Sequence, residues 1–144
     1  MIKLTDILFE NHPLSAEVQK LEDDLKVKYP SIDKLGIYMD KRKNSLFLSD
    51  LYVKDQFRGT GVGSAVMRDI VAYADSRKLP IVLIPEPESE TRSSLTKLIN
   101  FYKKFGFVIN KGKTVDYLLS EPFSLSMYRL PRWIYDHPKN NIHN

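Results

Sequence analysis

Gln56-Phe57-Arg58-Gly59-Thr60-Gly61-Val62-Gly63-Ser64 holds three of the six glycines in this 144-residue chain. Ahead of it, residues 46–53 (Leu46 to Val53) alternate and are rich in β-branched and aromatic residues, which predicts a strand. Behind it, Val62, Ala65, Val66, Ile70 and Ala74 recur at helical spacing. A strand that enters a glycine-rich turn opening a helix brings backbone close to a ligand and points free N–H groups at it, with the positive helix end behind them. That chemistry binds phosphate. The spacing narrows the ligand. No Gly-Lys-Ser/Thr is present, so this is not a Walker A loop, and glycines at 59, 61 and 63 put the third one residue early for a dinucleotide fingerprint. The run does fit Q/R-x-x-G-x-G/A in two registers, Gln56 with Gly59 and Gly61 or Arg58 with Gly61 and Gly63. Taken alone it equally suits a surface turn ahead of an ordinary helix.

A second segment changes that balance. Leu95, Leu98, Ile99 and Tyr102 form the stripe of an amphipathic helix, and Gly106 stands where a helix end favours a left-handed residue before Phe107. The run from Val53 to Met67 resembles the acetyl-CoA-binding signature of the GCN5-related N-acetyltransferases, and Leu95 to Phe107 resembles the later helix of that family with its Tyr-x-x-x-Gly-Phe ending. Both motifs stand in the family's order, with a strand between them. The resemblance covers residues 46–107 well and the closing strand weakly.

The resemblance implies an α/β (α+β) domain of the acyl-CoA N-acyltransferase type. Its sheet would be mixed and mostly antiparallel, flanked by helices on both faces, and splayed between the strand ending near Val53 and that at Ile81–Ile84. It implies acetyl-CoA in the splay, with the pyrophosphate on backbone N–H groups of Arg58, Gly59, Thr60, Gly61, Val62, Gly63 and Ser64, Gln56 belonging to the alternative register. The pantetheine arm would pair with Leu51, Tyr52 and Val53, an addition suited to a strand with unpaired amides. The reaction implied is direct acetyl transfer to a primary amine, with Tyr102 as cofactor contact and general acid for the departing sulfur. A phenol with a reference pKa of about 10 suits that role, although Tyr102 also lies on the buried stripe. The family often places a basic glutamate on the hairpin, and this hairpin has none. Glu86 or Asp50 is a possible base, Glu88 a weaker one; each reads as readily as a solvated acid, and a water chain would also serve.

The elements around these motifs follow from simple patterns. Ile2 to Phe9 reads as a first strand, ended by Asn11-His12-Pro13. Ser15 is a good N-cap for a helix through Val18, Leu21 and Leu25 that stops before Pro30. Leu35–Met39 and Ser45–Val53 form a hairpin around the five residues Asp40–Asn44, leaving two well-marked strands before the signature where the family usually has three. The signature helix runs from about Gly61 to Lys78, ahead of Pro80. Ile81–Ile84 is a short central strand. After the proline-rich 85–89 stretch, Ser89, Thr91 or Ser93 caps the second helix. Phe107–Ile109 begins a strand turned by Lys111–Thr114, and Ser124–Leu130 closes the sheet.

Composition bounds the rest. One domain over 1–131, followed by a partly mobile tail over 132–144, suits this length. With 42% hydrophobic and 28% charged residues, the chain reads as an ordinary globular protein. No apolar run is long enough for a membrane span, no secretory h-region opens the chain, and there is no cysteine. The cytoplasm is the expected compartment. A net charge of +4 with scattered lysines argues only weakly for an anionic partner and disfavours nucleic acid. His137 and His143 lack companions for a metal site, so no metal is expected. Trp133, Ile134 and Tyr135 could pair two subunits as a homodimer.

Two rival classes remain beside the acetyltransferase. One is a dinucleotide-binding domain, with Glu86 lying 23 residues past Gly63 as the ribose acid. The other is a non-catalytic CoA-binding or partner-binding module on the same fold. The acceptor is not written in the motifs, though few helices on its side favour a protein or peptide amine over an enclosed metabolite.

Overall fold

The computed structural model describes residues 13–88, 91–119 and 125–132, with the side chains of Arg92 and Ser93 outside the description. The first strand expected at Ile2–Phe9, His12, the Ser89 cap, Ser124 and everything from Trp133 onward lie outside these residues. The elements are α1 (Ser15–Lys28), β1 (Ile32–Asp40), β2 (Ser45–Val53), α2 (Val62–Arg77), β3 (Ile81–Leu83), α3 (Arg92–Lys103), β4 (Val108–Ile109) and β5 (Met127–Arg129). Short 3-10 turns occupy Asp55–Phe57 and Gly112–Thr114.

The five strands form one sheet in the order β1-β2-β3-β5-β4. Only β2–β3 is parallel; the other three pairings are antiparallel. The parallel seam is short: Leu46, Phe47 and Leu48 pair with Ile81, Val82 and Leu83, and then β3 stops while β2 runs on to Val53. The sheet is therefore splayed where the resemblance placed the opening, although β3 ends one residue before Ile84.

Alternation sorts the sheet into two faces. Leu46, Leu48, Ile81, Leu83 and Met127 join one core cluster, with Val18 and Leu25 of α1, Val66, Met67, Ile70 and Ala74 of α2, and Tyr102 of α3. Val82 and Tyr128 turn the other way and meet Leu119. The crossovers β2–α2–β3 and β3–α3–β4 step across the sheet in the same direction, and right-handed crossovers place both helices on one face. All three described helices share the first cluster, and Leu119 is the buried residue that joins the second from outside the sheet. The second helical layer implied by the resemblance is not among the described residues.

Local endings depart from expectation in instructive ways. Leu14, not Ser15, occupies the N-cap of α1, and Ser15 is its first helical residue. The hairpin turn is four residues long, because Asp40 belongs to β1 and its Oδ1 accepts from the N–H groups of Arg42 and Lys43, both at 3.1 Å. β1 begins at Ile32 and runs unbroken through two register shifts, so the strand is neither split nor confined to 35–39. At the second shift Ile37 pairs with Leu48 and Gly36 with Asp50, leaving Ser49 as a bulge. Of the three possible caps on α3, Thr91 is the one used, accepting from the Ser94 N–H at 3.1 Å.

Candidate active site

The glycine turn takes a left-handed course at two of its three glycines. Gly59 and Gly61 have φ of +79° and +89°, a region that costs any L-residue with a Cβ, whereas Gly63 lies within α2. A Cβ on Gly63 would meet Phe101 at an ordinary 3.6 Å. α2 has no side-chain cap and no acid in its first turn. Its first intrahelical bond runs from Ala65 N to Gly61 O at 3.0 Å. The leading N–H groups thus remain available to an anion at the positive end of the helix.

The splay and this turn enclose a cleft of about 740 Å³. Among the expected residues Asp50, Leu51, Tyr52, Val53, Arg58, Gly59, Gly61, Val62, Gly63, Ser64, Glu86, Glu88 and Tyr102 line it; Gln56 and Thr60 do not. Gln56 sits exposed in the 3-10 turn, and the Thr60 hydroxyl turns back to donate to the Phe57 carbonyl at 2.5 Å. The two registers therefore divide. Positive φ belongs to the pair that goes with Gln56, while the side chain in the cleft is Arg58.

β2 supplies the cleft's floor. Past Leu48 it has no strand partner on the β3 side among the described residues, so Ser49–Val53 offer an open backbone edge there. The bulge sends Ser49 and Asp50 across Gly36, where a Cβ would lie 2.3 Å from Ser49 Oγ and 3.2 Å from Asp50 Oδ2. The Ser49 hydroxyl donates to Asp50 Oδ2 at 2.9 Å. Behind this kink the buried Glu22 of α1 accepts the Ile37 N–H at 2.8 Å, the backbone group next to the register shift.

α3 forms one wall. Tyr102 is 7% exposed, sits edge-on to Phe101 and Phe107, and its hydroxyl has no hydrogen-bond partner among the described residues. Burial, with a smaller contribution from Tyr52, pushes its pKa up to about 12. Tyr102 is thus a neutral O–H donor throughout the physiological range. Leu98 of the expected stripe also lines this wall, with Ser94, Lys97 and Phe101, which escaped the sequence reading. Their 94–97–98–101 spacing was legible as a helical stripe one position from the buried one, but only the sheet's position decides which stripe faces the cleft.

Charge crosses the mouth of the cleft. Arg58 donates from Nε to the Val53 carbonyl at 3.2 Å, and its Nη2 contacts Asp55 Oδ1 at 3.0 Å and pairs with Glu88. Opposite, the Tyr52 hydroxyl donates to the Glu86 carbonyl at 3.4 Å. Among the described residues no group of three His, Asp or Glu side chains is placed to hold a metal, and no helix is long and apolar enough to cross a membrane.

A splayed mixed sheet, an uncapped helix N-terminus behind two left-handed glycines and a buried tyrosine facing the gap define an acyl-CoA-handling class of fold. The sequence model of the acetyltransferase (GNAT) domain matches residues 29–109. The chain belongs to the GNAT acetyltransferase family. No curated protein matches it. Among solved structures, it is similar to a histone acetyltransferase HPA2 and related acetyltransferase from Corynebacterium glutamicum, at 25% identity over 63% of this chain and 44% of that one, with a TM-score of 0.42. It is also similar to Ard1 from Thermoplasma volcanium (20% identity, 91% and 95% covered, TM-score 0.46). A third is a GNAT family acetyltransferase from Elizabethkingia anophelis with acetyl-CoA bound (17%, 83% and 92%, TM-score 0.43). The chain spans less than half the length of the Corynebacterium protein.

Proposed function

We propose that this chain transfers the acetyl group of acetyl-CoA to a primary amine by direct attack. The observation that carries the reading is the uncapped N-terminus of α2, reached through Gly59 and Gly61 and opening into the same cleft as Tyr102. On this reading the turn residues 58–64 hold the pyrophosphate through backbone N–H groups, and Arg58 adds a cation. The pantetheine arm extends along the open edge of Leu51, Tyr52 and Val53. A neutral amine attacks the thioester carbonyl, forming the C–N bond as the C–S bond breaks. A backbone N–H on the exposed β2 edge receives the oxyanion, and Tyr102 donates its proton toward the departing sulfur. With a pKa of about 12 the phenol is a weaker acid than a thiol, so its contribution is to stabilise developing charge more than to complete an early transfer. The amine's proton leaves through Asp50, Glu86 or water. The splay's breadth favours a protein or peptide amine, and the proposed compartment is the cytoplasm.

Calorimetric titration of acetyl-CoA and, separately, NAD tests this. We expect micromolar acetyl-CoA binding and none of NAD. Gly61→Asp abolishes binding, because it strains a left-handed position and sets a carboxylate against the phosphate. Tyr102→Phe leaves binding intact and slows CoA release in the presence of amine. A preference for NAD, or no acetyl-CoA binding, removes the proposal; an unchanged turnover in Tyr102→Phe removes the role of the phenol.

A further inference from the structure

We propose that Glu22 of α1 is a positioning residue for acetyl transfer, holding the register slip at which β2 turns its backbone edge into the cleft. This rests on the acetyl-transfer reading above and adds to it a residue that lies outside the cleft. By simple pattern Glu22 is out of place. It falls four residues after Val18 and three before Leu25, which are 1% and 3% exposed, so it stands on the face that α1 buries in the core. A carboxylate there costs free energy unless it is paired and hydrogen-bonded. Glu22 is 9% exposed, and both of its oxygens are engaged. Oε1 accepts the Ile37 N–H at 2.8 Å, while Oε2 accepts from Lys26 Nζ at 3.1 Å and from Gln19 Nε2 at 3.3 Å.

Three features of the hairpin meet at that N–H. The pairing of β1 with β2 slips between Gly36 and Ile37, skipping Ser49. A bulge of this kind interrupts the ladder and bends the strand that carries it. Leu48, the residue before the bulge, is also the last of β2 to pair with β3. The slip therefore falls where the two strands part, and Ser49, Asp50 and Leu51 beyond it line the cleft. Gly36 gives the bulge its room, since a Cβ there would lie 2.3 Å from Ser49 Oγ. Glu22 fixes the slip from the helix side, and Gly36 admits it from the strand side.

This bears on rate more than on binding. A backbone donor to the oxyanion acts on charge that develops only in the transition state, so its aim governs kcat. A misplacement of about 1 Å costs about 100-fold in such sites. On the same reading the pyrophosphate sits on the glycine turn, to which Glu22 makes no hydrogen bond.

The test separates position from stability. Glu22→Leu fills the buried stripe with an apolar side chain of similar size and removes the acceptor. Glu22→Gln keeps an acceptor oxygen without the charge. Glu17→Gln is the control on the same helix, because Glu17 accepts from the Tyr73 hydroxyl and from Arg77 Nη2, both at 2.8 Å, away from the slip. Each full-length variant is checked for folding by urea unfolding and titrated with acetyl-CoA. Its kcat is then read from free-thiol release with an uncapped lysine-containing peptide and, separately, with n-propylamine. We expect kcat to fall at least about tenfold in Glu22→Leu while the acetyl-CoA dissociation constant stays within about threefold. Glu22→Gln should bring kcat back to within about threefold, and Glu17→Gln should leave it unchanged. Full kcat in a folded Glu22→Leu, no recovery in Glu22→Gln, or a fall in kcat matched by weaker acetyl-CoA binding overturns the proposal. Should Glu22→Leu not fold, Gly36→Ala disturbs the same slip from β1, and an unchanged kcat there overturns the proposal equally. If the unaltered chain binds no acetyl-CoA or acetylates neither amine, the acetyl-transfer reading itself falls, which is seen before any variant is compared.

Discussion

At the residue scale the cleft turns on a few side chains whose environments fix their behaviour. Tyr102→Phe should lower kcat by about 100-fold, the ordinary reach of a positioned acid, while the acetyl-CoA dissociation constant stays constant in titration. Glu88→Gln should tighten acetyl-CoA binding by a few-fold, because the exposed Arg58–Glu88 pair, worth roughly 0–1 kcal/mol, no longer competes with phosphate. Burial also predicts an alkaline response. Tyr102 and Tyr73 both rise to about 12, so the folded protein holds their protons more tightly than the unfolded chain. Their contribution is complete below pH 10 and is lost as pH climbs from 10 toward 12. Urea unfolding across that window should show falling stability, and Tyr102→Phe should flatten the decline. Which of these residues could be read beforehand follows from whether their role is local. The glycine turn and Tyr102 announced themselves by spacing. Lys97 did not, since a lone charge acquires meaning only from what faces it across a gap. Gln56 and Thr60 stand off the cleft lining, a detail that order along the chain does not fix: Gln56 rides on the 3-10 turn and Thr60 on the bend after it.

At the scale of elements, the bulge at Ser49 has the widest effect and left no mark in the sequence. The alternation of β2 reads the same with or without one extra residue, so the slip is visible only against its partner strand. It reverses which face Asp50 and Tyr52 address. Gly36 makes room for it, and Gly36→Ala should force Ser49 Oγ aside and break its bond to Asp50. We expect a loss of about 1 kcal/mol in chemical denaturation. Glu22→Ala strikes the other side of the same kink. It leaves the Ile37 N–H without its acceptor, costing about 1–3 kcal/mol in the same assay, with Glu22→Gln recovering part of the loss. The ends of α2 illustrate the opposite case. Pro80 foretold the stop, but the left-handed residue there is Lys78, at φ +59°, and not a glycine.

At the scale of the molecule, two walls of the cleft are tied together away from it. Arg129 of β5, 4% exposed, pairs with Asp75 at the end of α2 through Nη1 at 2.8 Å and Nη2 at 3.0 Å, while its Nε donates to the Phe105 carbonyl at 2.7 Å. Asp75 also accepts the Arg132 N–H at 2.8 Å. The helix opened by the glycine turn and the segment that follows the helix bearing Tyr102 are thereby anchored to one guanidinium. Arg129→Met should cost about 3 kcal/mol, because it abandons a partly buried carboxylate and a carbonyl together. Sequence could place Arg129 on the closing strand but could not pair it with Asp75, 54 positions earlier; such partnerships exist only once the sheet order is known.

The short seam between β2 and β3 has a further consequence, for solubility. Beyond Leu48, among the described residues, β2 keeps an edge with no strand beside it, and unpaired edges are the usual templates for one molecule to pair with another. Here the glycine turn and α3 flank that edge, so its protection depends on how fully the gap is filled. A ligand lying along Leu51–Val53 would shield it as well as be activated by it. The bare protein should therefore cloud on warming sooner than the acetyl-CoA-saturated protein, by a wider margin than the shift in its unfolding midpoint alone explains.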